Sequence, residues 1–226
     1  MRDLLSRAME KKQKALSEFD SKALIRSAGV ATVREMLARS AGEAVQYASG
    51  FGYPVVLKGC SDRLLHKTEK GMVKLNLSSD AEVRAAYDDI TGRDDIGLDG
   101  VLVQEQVRGD RELVMGMIRD PQFGPCVMFG LGGIFTEALR DTSFRVAPLS
   151  EFDAAEMLDE IRARDILDEF RGSPAVDRDA LIKALVGLGE LALQYPDIAE
   201  IDINPVIVTG NRPVAVDALV VLNPSL

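Results

Sequence analysis

Four oxygen-bearing side chains stand close together near the end of the chain: Glu200, Asp202 and Asn204 in "IAEIDINPVIV" and Asp217 in "RPVAVDALVVL". Strand side chains alternate between faces, so the first three share one face and Ile201 and Ile203 take the other. A two-residue loop at Gly210-Asn211, or a symmetric four-residue loop around it, pairs Val208 with Pro213 and sets Asn204 opposite Asp217. Directly opposed residues hold their Cβ atoms about 4.5–5.5 Å apart, close enough for two oxygens to grip one cation. A three- or five-residue loop, or a bulge at Pro205, breaks that register. Asp217 lies in a run apolar on both sides, where a buried carboxylate without a partner is costly. Magnesium, held by one or two protein oxygens plus phosphate oxygens, relieves that cost. The plain alternative is an edge hairpin whose solvated polar face discourages edge pairing. The hairpin therefore points to a Mg-nucleotide site, and the rest of the chain must supply the nucleotide.

Lys58 ends "PVVLK", a strand so apolar that both faces are expected to be covered, and Lys is seldom left there unpaired. It is either a phosphate ligand or a strand-end lysine snorkelling to water. The following loop, "GCSDRLLHKTEKG", holds His66, the chain's single histidine. A neutral imidazole can attack phosphorus and carry the phosphoryl group covalently, dividing one difficult transfer into two. Most lone surface histidines are incidental, but a long polar loop between two strands is where a mobile carrier can sit. "FGLGGIFTE" places Gly130, Gly132 and Gly133 directly after a strand. It matches neither the Walker A loop nor the dinucleotide fingerprint. Closely spaced glycines let backbone N–H groups approach an anion, and they also make ordinary turns. The strand end "QEQV" can offer backbone groups to an adenine edge and Glu112 can reach a ribose hydroxyl, although solvated acids are the default for each.

These residues need a scaffold, and 226 residues suffice for one large or two small domains. A net charge of -9 argues against nucleic-acid and anionic-membrane partners, which demand clustered Lys and Arg. Cys60 and Cys126 are too few for a disulfide framework or Cys-rich metal site, which suits small core thiols in a reducing cytoplasm. The charged opening "MRDLLSRAMEKKQKALSEFD" lacks a signal-peptide core, and no stretch approaches the roughly 20 apolar residues of a membrane span. Helices are expected at the opening and over "SEFDSKALIRSAGV", "SAGEAVQYASGFG" and "SSDAEVRAAYDDI", the last with Ser79 and Glu82 in capping-box register. "YPVVLKG" and "MVKLNL" read as a strand pair, and "GVLVQEQV", "RELVMGMI" and "GPCVMFG" as a meander. Two or three helices fill residues 150 to 195 before the closing hairpin. Strands joined by hairpins rather than helical crossovers indicate an α+β fold, with a boundary near residue 104.

Taken in order, these segments resemble the β subunit, or ATP-grasp domain, of the NDP-forming acyl-CoA synthetases, the ADP-forming acetate–CoA ligase type, distant relatives of succinyl-CoA synthetase β. The resemblance runs from "SEFDSKALIRSAGV" through "GYPVVLKG", "LLHKTEKGMVKLNL", "VLVQEQV" and "RELVMGMIRDPQFGPCVMFGLGGIFTEALRDTSFRVAPL" to "EIDINPVIV". It implies an ATP-grasp fold of two mixed α/β subdomains with the nucleotide between them. An N-terminal helix (1–20) would lead to a small lid subdomain (21–104) and a large one (105–226) carrying the metal-binding hairpin.

Residue by residue, the resemblance implies that Lys58 binds nucleotide phosphate, Glu105, Gln106 and Val107 line the adenine hinge, and Glu112 helps seat the nucleotide. Asn204 and Asp217 would hold Mg2+ with Asp202 close by, and His66 would be the phosphohistidine carrier. The glycine-rich loop, with Glu137, Asp141 and Arg145, would face a neighbouring subunit. The implied reaction is carboxylate + CoA + NTP ⇌ acyl-CoA + NDP + phosphate, using ATP/ADP or GTP. The partner would be a CoA-binding α subunit in an α2β2 assembly. Two departures stand out: Met72 occupies a position where many relatives carry glycine, and Glu169 in "ILDEFRG" replaces a common glycine. Two other functions fit parts of the pattern, a carboxylate–amine ligase of the ATP-grasp type, which needs no carrier histidine, and a nucleotide-binding regulatory module without turnover.

Overall fold

The structure, a computed structural model, describes residues 1–63, 71–93, 97–133, 141–169 and 172–223. Its helices there are α1 (Arg2–Glu10), α2 (Glu18–Ser27), α3 (Ala41–Phe51), α4 (Asp80–Gly92), α5 (Glu151–Glu160) and α6 (Arg178–Gln194). The strands are β1 (Glu35–Ala38), β2 (Val55–Cys60), β3 (Val73–Leu77), β4 (Gly100–Glu105), β5 (Glu112–Asp120), β6 (Gly124–Leu131), β7 (Thr142–Val146), β8 (Ile198–Thr209), β9 (Arg212–Ala215) and β10 (Leu219–Leu222). The chain divides into two compact units, the first Met1–Lys14, Asp20–Thr32 and Arg108–Leu226, the second Ala15–Phe19 and Val33–Val107. Among the described residues no helix is long and apolar enough to cross a membrane.

In the second unit an antiparallel sheet runs in the order β1-β4-β2-β3. Ser40 Oγ accepts from the Glu43 N–H and Ser79 Oγ from the Glu82 N–H, satisfying amides that α3 and α4 leave open at their starts. The Glu82 carboxylate reaches Ser78 rather than Ser79, so the box closes one residue early. So capped, α3 and α4 lay Ala44, Val45, Ala48, Val83, Ala86 and Ile90 on Val55, Leu57, Val101 and Val103. That is one face of the sheet. The alternate residues, Lys58 of β2, Gln104 of β4 and Glu35 of β1, point to the other face and are buried as well. Every residue of β2 is buried, as expected for a strand covered on both sides.

The expected meander starts one strand later than the sequence indicates. β4 does not join β5 but lies between β1 and β2. Its partner β1 escapes notice because it is four residues long and leaves Met36 42% exposed, so no apolar alternation marks it.

The first unit holds an antiparallel sheet in the order β10-β8-β5-β6-β7, with β9 paired to β8. Helix α5 packs on β7, and α6 on β6 and β5. This side is lined by Met115, Met117, Val127 and Phe129 with Ile201 and Ile203, all buried. Ser150 and Asp153 form a capping box at the start of α5. Asp20–Thr32 joins this unit instead of the 21–104 segment expected from the sequence. The reason is local pairing: Ser21 Oγ accepts from the Val220 N–H at 3.2 Å, and the Ala215 N–H donates to the Ala31 carbonyl at 2.8 Å.

Arg111, buried at 6% exposure, donates to the carbonyls of Ile166, Asp168, Pro174 and Gly210. One planar guanidinium thus ties the segment around Glu169 to the turn of the closing hairpin. Arg111→Met should lower unfolding free energy by about 3–5 kcal/mol, because it strands several buried acceptors at once. Arg111→Lys should recover little of this, since a point charge with three donors cannot span four acceptors in one plane. Urea unfolding of the three proteins checks the order.

Candidate nucleotide and metal site

The closing hairpin turns as the sequence indicates, with Val208 opposite Pro213 and Thr209 opposite Arg212. β9 then stops at Ala215, and β10 resumes with Leu219 opposite Asp202 and Val220 opposite Ile201. The offset between the two arms is the same on both sides of this gap, and the Val216 N–H donates to the Pro205 carbonyl within it. Counting along that offset brings Asn204 level with Asp217, at the point where the second arm leaves the ladder and neither strand pairing includes the two residues. Facing β5, β8 does carry one extra residue at Asn204-Pro205, since Leu113 pairs with Val206 but Met115 with Ile203. The bulge pushes Asn204 and Pro205 outward in succession without shifting the register toward β9 and β10.

Glu200, Asp202 and Asn204 share the face turned away from Ile201 and Ile203, which are buried. Asp202 lies opposite Gly116 on β5, so no neighbouring side chain covers it from that strand. Burial pushes the Asp202 carboxyl up to about 6, and the negative charges of Glu200 and Asp217 push in the same direction. Asp217 Oδ1 accepts the Ala218 N–H at 2.9 Å, which fixes its side chain in the local turn. Among the described residues no three His, Cys, Asp or Glu side chains form a ready-made metal cage. Sparse protein oxygens beside concentrated negative charge suit a cation that keeps much of its water and takes phosphate oxygens, which is the habit of magnesium.

Without a cation, the raised Asp202 group makes the folded state bind a proton more tightly than the unfolded chain does. The contribution of this group to stability should be fully present below about pH 4 and be lost as pH rises through about 6, by about 3 kcal/mol at most before solvent screening. Asp202→Asn should flatten that step in urea unfolding with chelator present. Divalent-ion affinity should fall as pH drops below 6, since the cation and the proton compete for the same carboxylate.

Glu112, half-buried at the start of β5, comes together with the glycine-rich turn. The Gly132 N–H donates to the Glu112 carbonyl at 2.8 Å, and a Cβ on Gly132 would lie 2.8 Å from the Leu113 carbonyl oxygen. At Gly133, φ is 75° and a Cβ would meet Glu112 Oε2 at 2.9 Å. Close backbone approach thus requires glycine at 132, and the left-handed backbone favours it at 133. Gly130 is a ladder residue opposite Val114 and Thr142. Asp141 and Arg145, placed at a subunit face by the resemblance, bind within their own unit. Asp141 is buried and accepts the N–H groups of Arg162 and Ala163, while Arg145 pairs with Glu160 and Glu156.

In the second unit Lys58 does not snorkel. Its Nζ lies 2.8 Å from Glu18 Oε1, with side chains 7% and 0% exposed. Gln104 Nε2 donates to the same Glu18 oxygen and to Glu35 Oε2, each at 2.8 Å. Direct strand pairing explains the second bond, because Glu35 stands opposite Gln104. Sequence reasoning missed Glu18, Glu35 and Gln104. The first looks like an ordinary helix-starting acid, and only the register exposes the others. At the strand end, the Glu105 carboxylate binds Arg34 and the Gln106 side chain binds Asn76. The Glu105 and Gln106 amides donate to Arg34 O and Pro54 O. His66 and Glu137 lie outside the described residues.

Residues 7–222 match the ATP-grasp domain family. The β subunit of ADP-forming acetate–CoA ligase I from Pyrococcus furiosus is 42% identical over 98% of this chain and 97% of its own length. The chain belongs to this ATP-grasp family of ADP-forming acyl-CoA synthetase β subunits. An acetyl-CoA synthetase 1 structure from Ca. Korarchaeum cryptofilum, in complex with coenzyme A and Ca-AMPCP, superposes with a TM-score of 0.93 at 45% identity, covering 98% of this chain and 99% of that one. Another structure of that enzyme contains Mg-AMPPCP and a phosphohistidine segment pointing towards the nucleotide binding site, at a TM-score of 0.87 and 45% identity over 98% of this chain and 99% of that one. The α+β architecture with antiparallel sheets is the ATP-grasp fold that the sequence motifs implied.

Proposed function

We propose that this chain is the nucleotide-binding β subunit of an NDP-forming acyl-CoA synthetase, acting in a reducing cytoplasm with a CoA-binding α subunit in an α2β2 assembly. The observation that carries this reading is end-to-end likeness, 42% identity spanning 98% of the chain, to a protein that is itself a β subunit. Asn204 and Asp217, with Asp202 beside them, hold Mg2+, which draws charge from the phosphate tail and orients it. Lys58 donates to phosphate. The strand end Glu105–Val107 lines the adenine edge, with the Gln106 carbonyl and the Val107 N–H as its contacts, because the side chains and N–H groups of Glu105 and Gln106 are already engaged. Glu112, Gly130 near the end of β6 and the turn at Gly132 and Gly133 complete the nucleotide's seat.

His66 attacks the γ-phosphorus of ATP through an imidazole nitrogen, the bond to the β–γ bridging oxygen breaks, and NDP remains. The phosphoryl group then passes to a carboxylate on the partner subunit, forming an acyl phosphate from which CoA displaces phosphate. The test incubates the chain, with its co-purifying partner, with γ-labelled ATP and Mg2+. An acid-labile, base-stable label is expected in the peptide containing His66, and chelation of Mg2+ should remove it. ATP turnover with no covalent label would overturn the reading.

A further inference from the structure

We propose that Glu18 is a positioning residue for phosphate binding, acting through Lys58; this rests on the phosphate role given to Lys58 above. A lysine buried on a covered sheet face needs a counter-charge to stay ionised, and a phosphate donor must be charged and aimed before its ligand arrives. Glu18 supplies both conditions. Its carboxylate is wholly buried and sits 2.8 Å from Lys58 Nζ. The same Oε1 atom also receives the Gln104 amide at 2.8 Å, and that amide is anchored in turn on Glu35.

Three strands contribute to this arrangement, Glu35 from β1, Gln104 from β4 and Lys58 from β2, and they are direct neighbours in the sheet. Glu18 alone comes from outside it. The short segment Ala15–Phe19, counted with this unit, delivers it to the polar face. A backbone bond from Phe19 and a side-chain bond from Ser17 to Cys60, two residues after Lys58 on β2, fix the segment at the end of that strand. A buried pair of this kind is a poor source of stability compared with apolar packing. Its value lies in holding the ammonium in one place.

The test compares the affinity of the full chain for Mg·ATP with that for adenosine, which has no phosphate. Lys58→Met should weaken Mg·ATP by about 10–150-fold and leave adenosine within about twofold, as expected for loss of a charge-assisted bond. Glu18→Gln should weaken Mg·ATP by at least about 10-fold, again sparing adenosine. In the Lys58→Met background Glu18→Gln should add nothing, because its effect travels through the lysine. If Glu18→Gln does not fold, Glu18→Asp, which withdraws the charge by one methylene, reads the same contrast.

Equal losses for ATP and adenosine, or losses that add in the double variant, would make Glu18 a scaffold residue and overturn the inference. So would a Glu18 variant that binds both ligands normally while Lys58→Met loses ATP. If instead Lys58→Met binds Mg·ATP normally, the phosphate role of Lys58 itself fails.

Discussion

His66→Asn should remove the covalent label completely and lower acyl-CoA formation by at least about 1,000-fold, while Mg·ATP affinity stays within about twofold. The asparagine amide keeps polarity and approximate size but has no lone pair able to attack phosphorus. The groups proposed to grip ATP lie elsewhere in the chain, so binding survives. Because the chain contains a single histidine, no second imidazole can substitute, and any phosphohistidine left in the variant would have to come from the partner. Rapid-quench labelling with γ-labelled ATP separates the steps, since the first transfer to the chain is measured without the acid or CoA. A carboxylate–amine ligase passes phosphate directly to its substrate, and its ATP turnover would persist in the variant. Persistent turnover would therefore favour that chemistry over a carrier.

Much of the fold was legible because its strong signals are local. Ser79 sits where a cap belongs, and alternation in "IAEIDIN" assigns faces without reference to any partner strand. The place of β4 was not legible. A strand buried on both sides carries no face information, and its partner β1 is too short to announce itself. Residues 20–32 likewise join the first unit through backbone bonds such as Ala215 N–H to Ala31 O, which leave no trace in residue type.

The same distinction governs the site. The offset that counts Asn204 level with Asp217 was legible because a tight turn propagates its register along both arms, although the strand pairing itself stops short of the two residues. The bulge at Pro205 did not destroy that alignment, because the extra residue is absorbed against β5 rather than against the returning arm. Lys58 stood out as a charge in an apolar strand, yet its counter-ion Glu18 lies forty residues away in sequence and has the type and position of any first-turn acid. Arg111 was equally silent, since its acceptors are backbone carbonyls that every residue carries.

The register makes the strongest claim on the metal pair. Asp217→Asn removes one charge but keeps the Oδ1 atom that accepts the Ala218 N–H, so the turn should survive and the protein should fold. Phosphoryl transfer from Mg·ATP should nevertheless fall by at least about 100-fold, with the loss concentrated in magnesium dependence. Asn204→Ala should give a similar loss, and the double variant should do little more, because either change opens the same coordination sphere. Glu200→Gln provides the contrast. It lies on the same face two residues beyond Asp202 but is exposed, and its activity should stay within about threefold of the parent. Raising Mg2+ should partly restore the Asp217 variant, whose defect is one of affinity, and chelation should make all four proteins equally inactive. If Asp217→Asn retained its magnesium dependence while Glu200→Gln lost it, the cation would have to sit further along the row, and the facing of Asn204 and Asp217 would be a feature of the hairpin alone.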